Sequence, residues 1–123
     1  METSQLKLTL VRDTSLQIPQ GVCYGQSDID VAVTFIQEAA ITKEKIKHLA
    51  LDAAFTSPLQ RCVKLAHALD LKNVTHDERL KELHFGDWEM QAWNDVPSTY
   101  FGNGYRTMAI WHYLMVRRLG SCK

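Results

Sequence analysis

Apolar residues in this chain come in short blocks whose spacing switches between two periods. Residues 6–12 (LKLTLVR) alternate and then run continuously apolar, the pattern of a strand buried in a parallel sheet, and stop at the polar Asp13-Thr14-Ser15. Residues 16–27 read as a loop containing Pro19, Gly21 and Gly25. Asp28 stands where a helix cap is wanted. Val31, Phe35, Ile36, Ala39 and Ala40 then share one helical face, and Ile46 and Leu49 continue in a second segment. Residues 53–57 predict a short buried strand ending at Ser57, and Pro58 suits a first helical position, where its missing N–H needs no partner. Leu59, Cys62, Val63, Leu65, Ala66 and Leu69 carry the following helix at i, i+3, i+4 and i+7 spacings. A third strand is expected near Val74, a polar and aromatic loop over 79–89, and the start of a helix over 90–94. This alternation is the grammar of an α/β domain with a mostly parallel sheet.

Past Pro97 the texture changes. Residues 98–104 are turn-rich, and 107–119 (TMAIWHYLMVRRL) form a dense apolar run with no clear helical period. The expected organisation is a domain over 1–97 and an atypical tail over 98–123.

Composition narrows the function classes. A chain of 123 residues with 46% hydrophobic and 23% charged positions is sized and balanced for one globular domain. Fourteen basic residues balance fourteen acidic ones, which argues against a general nucleic-acid or anionic-membrane binder but allows a local positive pocket. No apolar stretch approaches the ~18 residues of a membrane span, and the N-terminus lacks a basic region followed by an apolar core. Cys23, Cys62 and Cys122 form no CxxC pair. No disulfide framework or zinc ribbon is therefore expected, and a reducing cytoplasm fits. His48, His67 and His76 lack metal-ligand spacing and read as surface residues.

Three segments put functional groups at strand ends or helix starts, where open α/β sheets keep their sites. The first is Val11-Arg12-Asp13-Thr14. The second is Ser57-Pro58-Leu59-Gln60-Arg61-Cys62, with Arg61 in the first turn of a helix and expected to meet Arg12 over the sheet edge. Two arginines beside a helix N-terminus make an anion pocket, because forked donors match phosphate oxygens and the helix end adds partial positive charge. The third is the stretch from Leu80-Lys81-Glu82 through Gly86-Asp87-Trp88-Glu89, where a carboxyl among aromatics can hold a proton to donate.

Taken in order with the loop Gly21-Val22-Cys23-Tyr24-Gly25-Gln26-Ser27-Asp28, these segments resemble the histidine phosphatase superfamily, the phosphoglycerate-mutase-like phosphatases. The resemblance is strongest to the α-ribazole-5′-phosphate phosphatase branch of cobalamin synthesis. It implies a three-layer α/β/α fold that hydrolyses a small phosphomonoester through a phosphohistidine, with no metal or organic cofactor. Carried over by position, Arg12 and Arg61 are phosphate clamps, Thr14 adds a contact to phosphate, and Glu82 is the proton donor. The nucleophile position holds Asp13 instead of histidine. A carboxylate ~4 Å from one phosphate charge is repelled by roughly 4 kcal/mol at an effective dielectric of ~20. Asp13 is therefore expected to pair with the arginines as an internal anion and to leave this chain weak or inactive.

The Thr-His-Gly-like box of the family's later strand has no match here, since His112 lacks its flanks; a C-terminally truncated or frame-shifted member is the expectation. The alternative is a catalytically silent module that binds inorganic phosphate or a phosphorylated ligand, using aromatics near Trp88 and Trp111 to contact a partner. Strands left without neighbours would favour self-association. His84, Asp87 and Glu89 read as ordinary solvated loop residues, Cys23 and Cys62 as small buried hydrophobes, and Trp88 and Trp93 as packing residues.

Overall fold

A βαβ unit organises the fold. In the computed structural model, which describes residues 5–95, strand β1 (Ala54–Thr56) leads through helix α2 (Gln60–Ala68) to strand β2 (Val74–His76). The two strands pair in parallel, with Ala54 opposite Val74, Phe55 opposite Thr75 and Thr56 opposite His76. Parallel neighbours need such a crossover, because a tight turn can only join antiparallel strands. Helix α1 (Phe35–Ile46) precedes the unit and packs on α2. Three 3₁₀ turns follow it, Glu78–Leu80, Gly86–Trp88 and Trp93–Asp95.

The core lies between the two helices. Ala39 of α1 meets Leu65 and Leu69 of the α2 end, and Phe35, Ile46, Ala68 and Leu71 close around them. Each leucine buried this way contributes about 1.5–3 kcal/mol. Helix α2 stops in a Schellman motif: Asp70 takes a left-handed φ of 55°, its N–H donates to His67 O, and Leu71 N–H donates to Ala66 O. Leu71 thereby returns to the core it helps to close.

Several sequence expectations hold and others shift. The parallel α/β arrangement, both short strands and the apolar period of α2 are as expected. Residues 6–12, expected as the first strand, form no ladder among the described residues, and Leu6, Leu8, Leu10 and Val11 are 40–63% exposed. Alternation makes a segment fit for a sheet, yet the two described strands pair only with each other. Residues 13–95 form one compact unit, and residues 5–12 belong to a different one. β1 is buried on one face only, with Thr56 inside and Phe55 62% exposed. The first helix starts at Phe35, not after Asp28, because residues 15–17 and 30–32 are laced together first: Ala32 N–H donates to Ser15 O and Gln17 N–H to Asp30 O, each at 2.9 Å. Pro58 precedes the helix by two positions. Residues 90–94 hold a bridge from Ala92 to Val22 and a 3₁₀ turn in place of an α-helix. The expected tail over 98–123, with Trp111, His112 and Cys122, lies outside the described residues.

Candidate functional site

The loop after β1 delivers a buried arginine. Thr56 and Ser57 are buried at the C-terminal end of the strand, and the Ser57 hydroxyl accepts the N–H of Leu59, the residue that caps α2. Asp28 completes the helix start from across the unit: its Oδ1 accepts the Gln60 N–H at 2.7 Å, and its carbonyl accepts the Gln60 side-chain amide at 2.8 Å. The carboxylate expected to cap the first helix thus caps the second, where it satisfies a donor that no upstream carbonyl can reach.

Arg61, one residue further on, is 3% exposed. Its Nη2 donates to Gly25 O at 2.5 Å and its Nη1 to Ser27 O at 2.7 Å. Nε faces Asp13 Oδ2 at 3.2 Å, and the guanidinium carbon lies 5.4 Å from the centre of the Tyr24 ring. A charge this buried needs several partners at once, and two carbonyls, a carboxylate and an aromatic face supply them. The ion pair expected of Asp13 is therefore present, with the Asp13 side chain a quarter exposed and that of Arg61 almost wholly buried. Cys62 stands next to this pair; burial, then the Asp13 charge, pushes its thiol up.

The same loop is gripped from its other side. Glu89 accepts the backbone N–H of Gly25 at 3.0 Å, that of Gln26 at 2.9 Å, that of Phe85 at 3.2 Å and the Ser27 hydroxyl at 2.6 Å. Burial alone would raise the Glu89 carboxyl, but the Ser27 hydroxyl and the three N–H groups outweigh it and hold the group at about 2. Sequence reasoning took Glu89 for a solvated loop carboxylate. It is instead the anchor of the Gly25–Ser27 segment, and no local pattern announces this because three of its four donors lie more than sixty positions away.

Backbone pairing explains how Glu89 arrives. Cys23 N–H donates to Gln91 O at 2.7 Å, Met90 N–H to Cys23 O at 2.8 Å and Trp93 N–H to Gly21 O at 2.8 Å. Cys23 is wholly buried beneath this lacing, and its thiol is pushed up to about 11 by burial and by the Glu89 charge. Phe85 and Trp93 meet edge to face, 5.8 Å apart, which agrees with the packing role expected for Trp93.

The remaining expected site residues separate. Thr14 is buried, its hydroxyl facing Ser15 O at 3.5 Å. Ser15 donates its N–H and hydroxyl to Glu38 of α1, so the turn after Asp13 is tied to that helix. Glu82 is half-buried, and its Oε1 accepts the Leu83 N–H at 2.9 Å. The Leu83 carbonyl lies against the Cα of Gly25, so Glu82 sits one residue from the loop that Arg61 holds. Arg12 is exposed and belongs to the other compact unit. His84 is exposed, with its Nδ1 accepting the Gly86 N–H at 2.8 Å. His48, His67 and His76 are exposed as expected. Among the described residues no cluster of three or more potential metal ligands occurs, and no helix is long and apolar enough to cross a membrane.

The site thus centres on a buried arginine at a helix start, beside the strand end, whose partners are two loop carbonyls and the Asp13 carboxylate. The family profile of the histidine phosphatase superfamily (branch 1) matches residues 8–112. The chain belongs to that superfamily. No curated protein matches it in sequence. Several solved structures resemble it in fold. A phosphoserine phosphatase of Entamoeba histolytica, determined in complex with 3-phosphoglyceric acid, is 29% identical at a TM-score of 0.59, covering 68% of this chain and 45% of that one. YhfR of Bacillus stearothermophilus is 22% identical at 0.64, covering 72% and 46%. An Escherichia coli protein assigned provisionally as an α-ribazole-5′-P phosphatase is 21% identical at 0.62, covering 84% and 52%. The chain therefore spans about half the length of each of these relatives.

Proposed function

We propose that this superfamily member binds small phosphomonoesters at Arg61, and that its hydrolytic turnover is weak because Asp13 occupies the nucleophile position. The observation that carries the proposal is the ion pair between Asp13 Oδ2 and the buried Nε of Arg61. A carboxylate there is both a poor acceptor of a phosphoryl group from a dianion and a competitor for the clamp. At roughly 4 kcal/mol of repulsion per phosphate charge, an incoming phosphate must displace Asp13 from Arg61 before it can bind.

In this reading Arg61 and Thr14 receive the phosphate, Glu82 protonates the leaving oxygen, and Arg12 is a clamp by motif position alone. A histidine at position 13 approaches phosphate as a neutral imidazole and restores the nucleophile. The substrate class is a compact phosphomonoester such as α-ribazole 5′-phosphate, a choice supported by the motif resemblance and by the provisional assignment of the Escherichia coli relative. The balance of charge and the cysteine usage support a cytoplasmic setting. The ion pair itself favours a second reading, a silent receptor that binds phosphate without turnover.

The test is hydrolysis of a generic aryl phosphate by this chain and by Asp13→His in parallel, with orthophosphate binding measured for both. Turnover in Asp13→His alone supports the proposal. Binding without turnover in either supports the silent receptor. Turnover in the unmodified chain equal to that of Asp13→His would refute the role given to Asp13.

A further inference from the structure

We infer that Glu89 is a positioning residue for the anion receptor, acting on Arg61 through the Gly25–Ser27 segment without touching either Arg61 or the anion. This inference rests on the phosphate-receptor reading for its purpose, though not for its geometry. Three residues of backbone lie between two opposite charges. Their donors, the N–H groups of Gly25 and Gln26 and the Ser27 hydroxyl, point to Glu89. Their acceptors, the carbonyls of Gly25 and Ser27, point to Arg61.

Peptide groups polarise along this direction, so each charge strengthens the hydrogen bonds made by the other. The two Arg61 contacts use Nη1 and Nη2 and so fix the plane of the guanidinium. With that plane fixed, Nε is the edge presented to Asp13, 3.2 Å away. An anion that replaces the Asp13 carboxylate meets the same edge. Releasing the loop from Glu89 leaves the two carbonyls free to drift and Arg61 free to rotate.

The backbone supports a dedicated role for this carboxylate. Met90, the next residue, holds a left-handed φ of 66° that a long side chain rarely adopts, and the 90–93 lacing to residues 21–23 pays for it. Four donors reach the two Glu89 oxygens, so the group is saturated and unsuited to receive a substrate proton. Its work is to hold.

Substitution of Glu89 by glutamine preserves the shape but sets an amide N–H₂ against backbone donors. The readouts are the ¹⁵N–¹H signal of the Arg61 Nε–H and the orthophosphate affinity in an Asp13→Asn background, where the internal carboxylate no longer competes. Glu89→Gln should broaden or average the Arg61 signal and weaken orthophosphate binding by tenfold or more. Ser27→Ala, which removes a single donor, should move both readouts the same way by a smaller factor. Ala39→Gly destabilises the helix pair at a distance and should move neither, which separates positioning from a general loss of stability. An unchanged Arg61 signal in Glu89→Gln and Ser27→Ala would overturn the inference. Should Asp13→Asn with native Glu89 take up no orthophosphate, the receptor reading falls, and the Arg61 signal still decides the role of Glu89.

Discussion

Replacing Gly25 by alanine tests the packing at the centre of the site. A Cβ at this position would stand 1.8 Å from the Leu83 carbonyl oxygen, 2.7 Å from Cδ2 of Phe85 and 3.0 Å from a Glu89 oxygen. The nearest obstacle is backbone and cannot rotate aside, so the loop and the 82–85 segment must part by more than about 1 Å. The opening pulls on both ends of the clasp, the Gly25 N–H to Glu89 bond at 3.0 Å and the Arg61 to Gly25 carbonyl bond at 2.5 Å. Hydrogen bonds to a charged partner are worth about 1.5–3 kcal/mol each, so losing both costs roughly 3–6 kcal/mol. Gly21→Ala is the control: that glycine has a φ of +80° but nothing within 4 Å of a new Cβ, so the cost is the left-handed penalty of about 1 kcal/mol. Equilibrium urea unfolding, followed by tryptophan fluorescence and extrapolated linearly at constant m, reads both. Equal destabilisation by the two substitutions would refute the close approach of Gly25 and Leu83.

Arg61→Met should cost about 3–5 kcal/mol in the same assay, because it strands two carbonyls and the Asp13 carboxylate; a loss below about 1 kcal/mol would mean that water replaces the guanidinium freely. The Glu89 carboxyl is held at about 2 against an ordinary 4.5, so its contribution is complete above about 4.5 and is lost as the pH falls towards 2. The stability gap between the parent chain and Glu89→Gln, about 2 kcal/mol at neutral pH after solvent screening, should therefore close in acid titration, and a gap independent of pH would contradict it. Cys23, wholly buried and raised to about 11, should resist iodoacetamide in the native state and react on unfolding, as peptide mapping by mass spectrometry can show.

What was legible in the sequence was whatever depends on neighbours along the chain. The period of Leu59, Cys62, Leu65, Ala66 and Leu69 makes a helix regardless of its surroundings, and the Ser57-Pro58 signal marks its start within two residues. The position of Arg61 followed from those two facts. What was not legible is settled across space. Asp28 looks like the cap of the helix that follows it, yet the open N–H it reaches belongs to Gln60. Glu89 looks solvated because three of its four donors come from the distant 25–27 stretch of chain. Residues 6–12 carry a strand pattern, but a pattern states only which face is apolar and leaves open which neighbour will pair with it. The Asp13–Arg61 ion pair could be anticipated since both charges were already assigned to one pocket, whereas the carbonyl contacts of Arg61 carry no side-chain signature at all.

The lacing of residues 90–93 to 21–23 also sets an order of events. The bond from Gly25 to Glu89 spans 64 positions, and closing a loop of that length costs roughly 4 kcal/mol of chain entropy before any contact within it is repaid. The βαβ unit and the helix pair close over shorter separations and can form first. On a ribosome, the segment that carries Glu89 must emerge before the Gly25–Ser27 loop can be held from that side. The clasp around Gly25–Ser27 therefore closes only once the chain beyond the βαβ unit is in place.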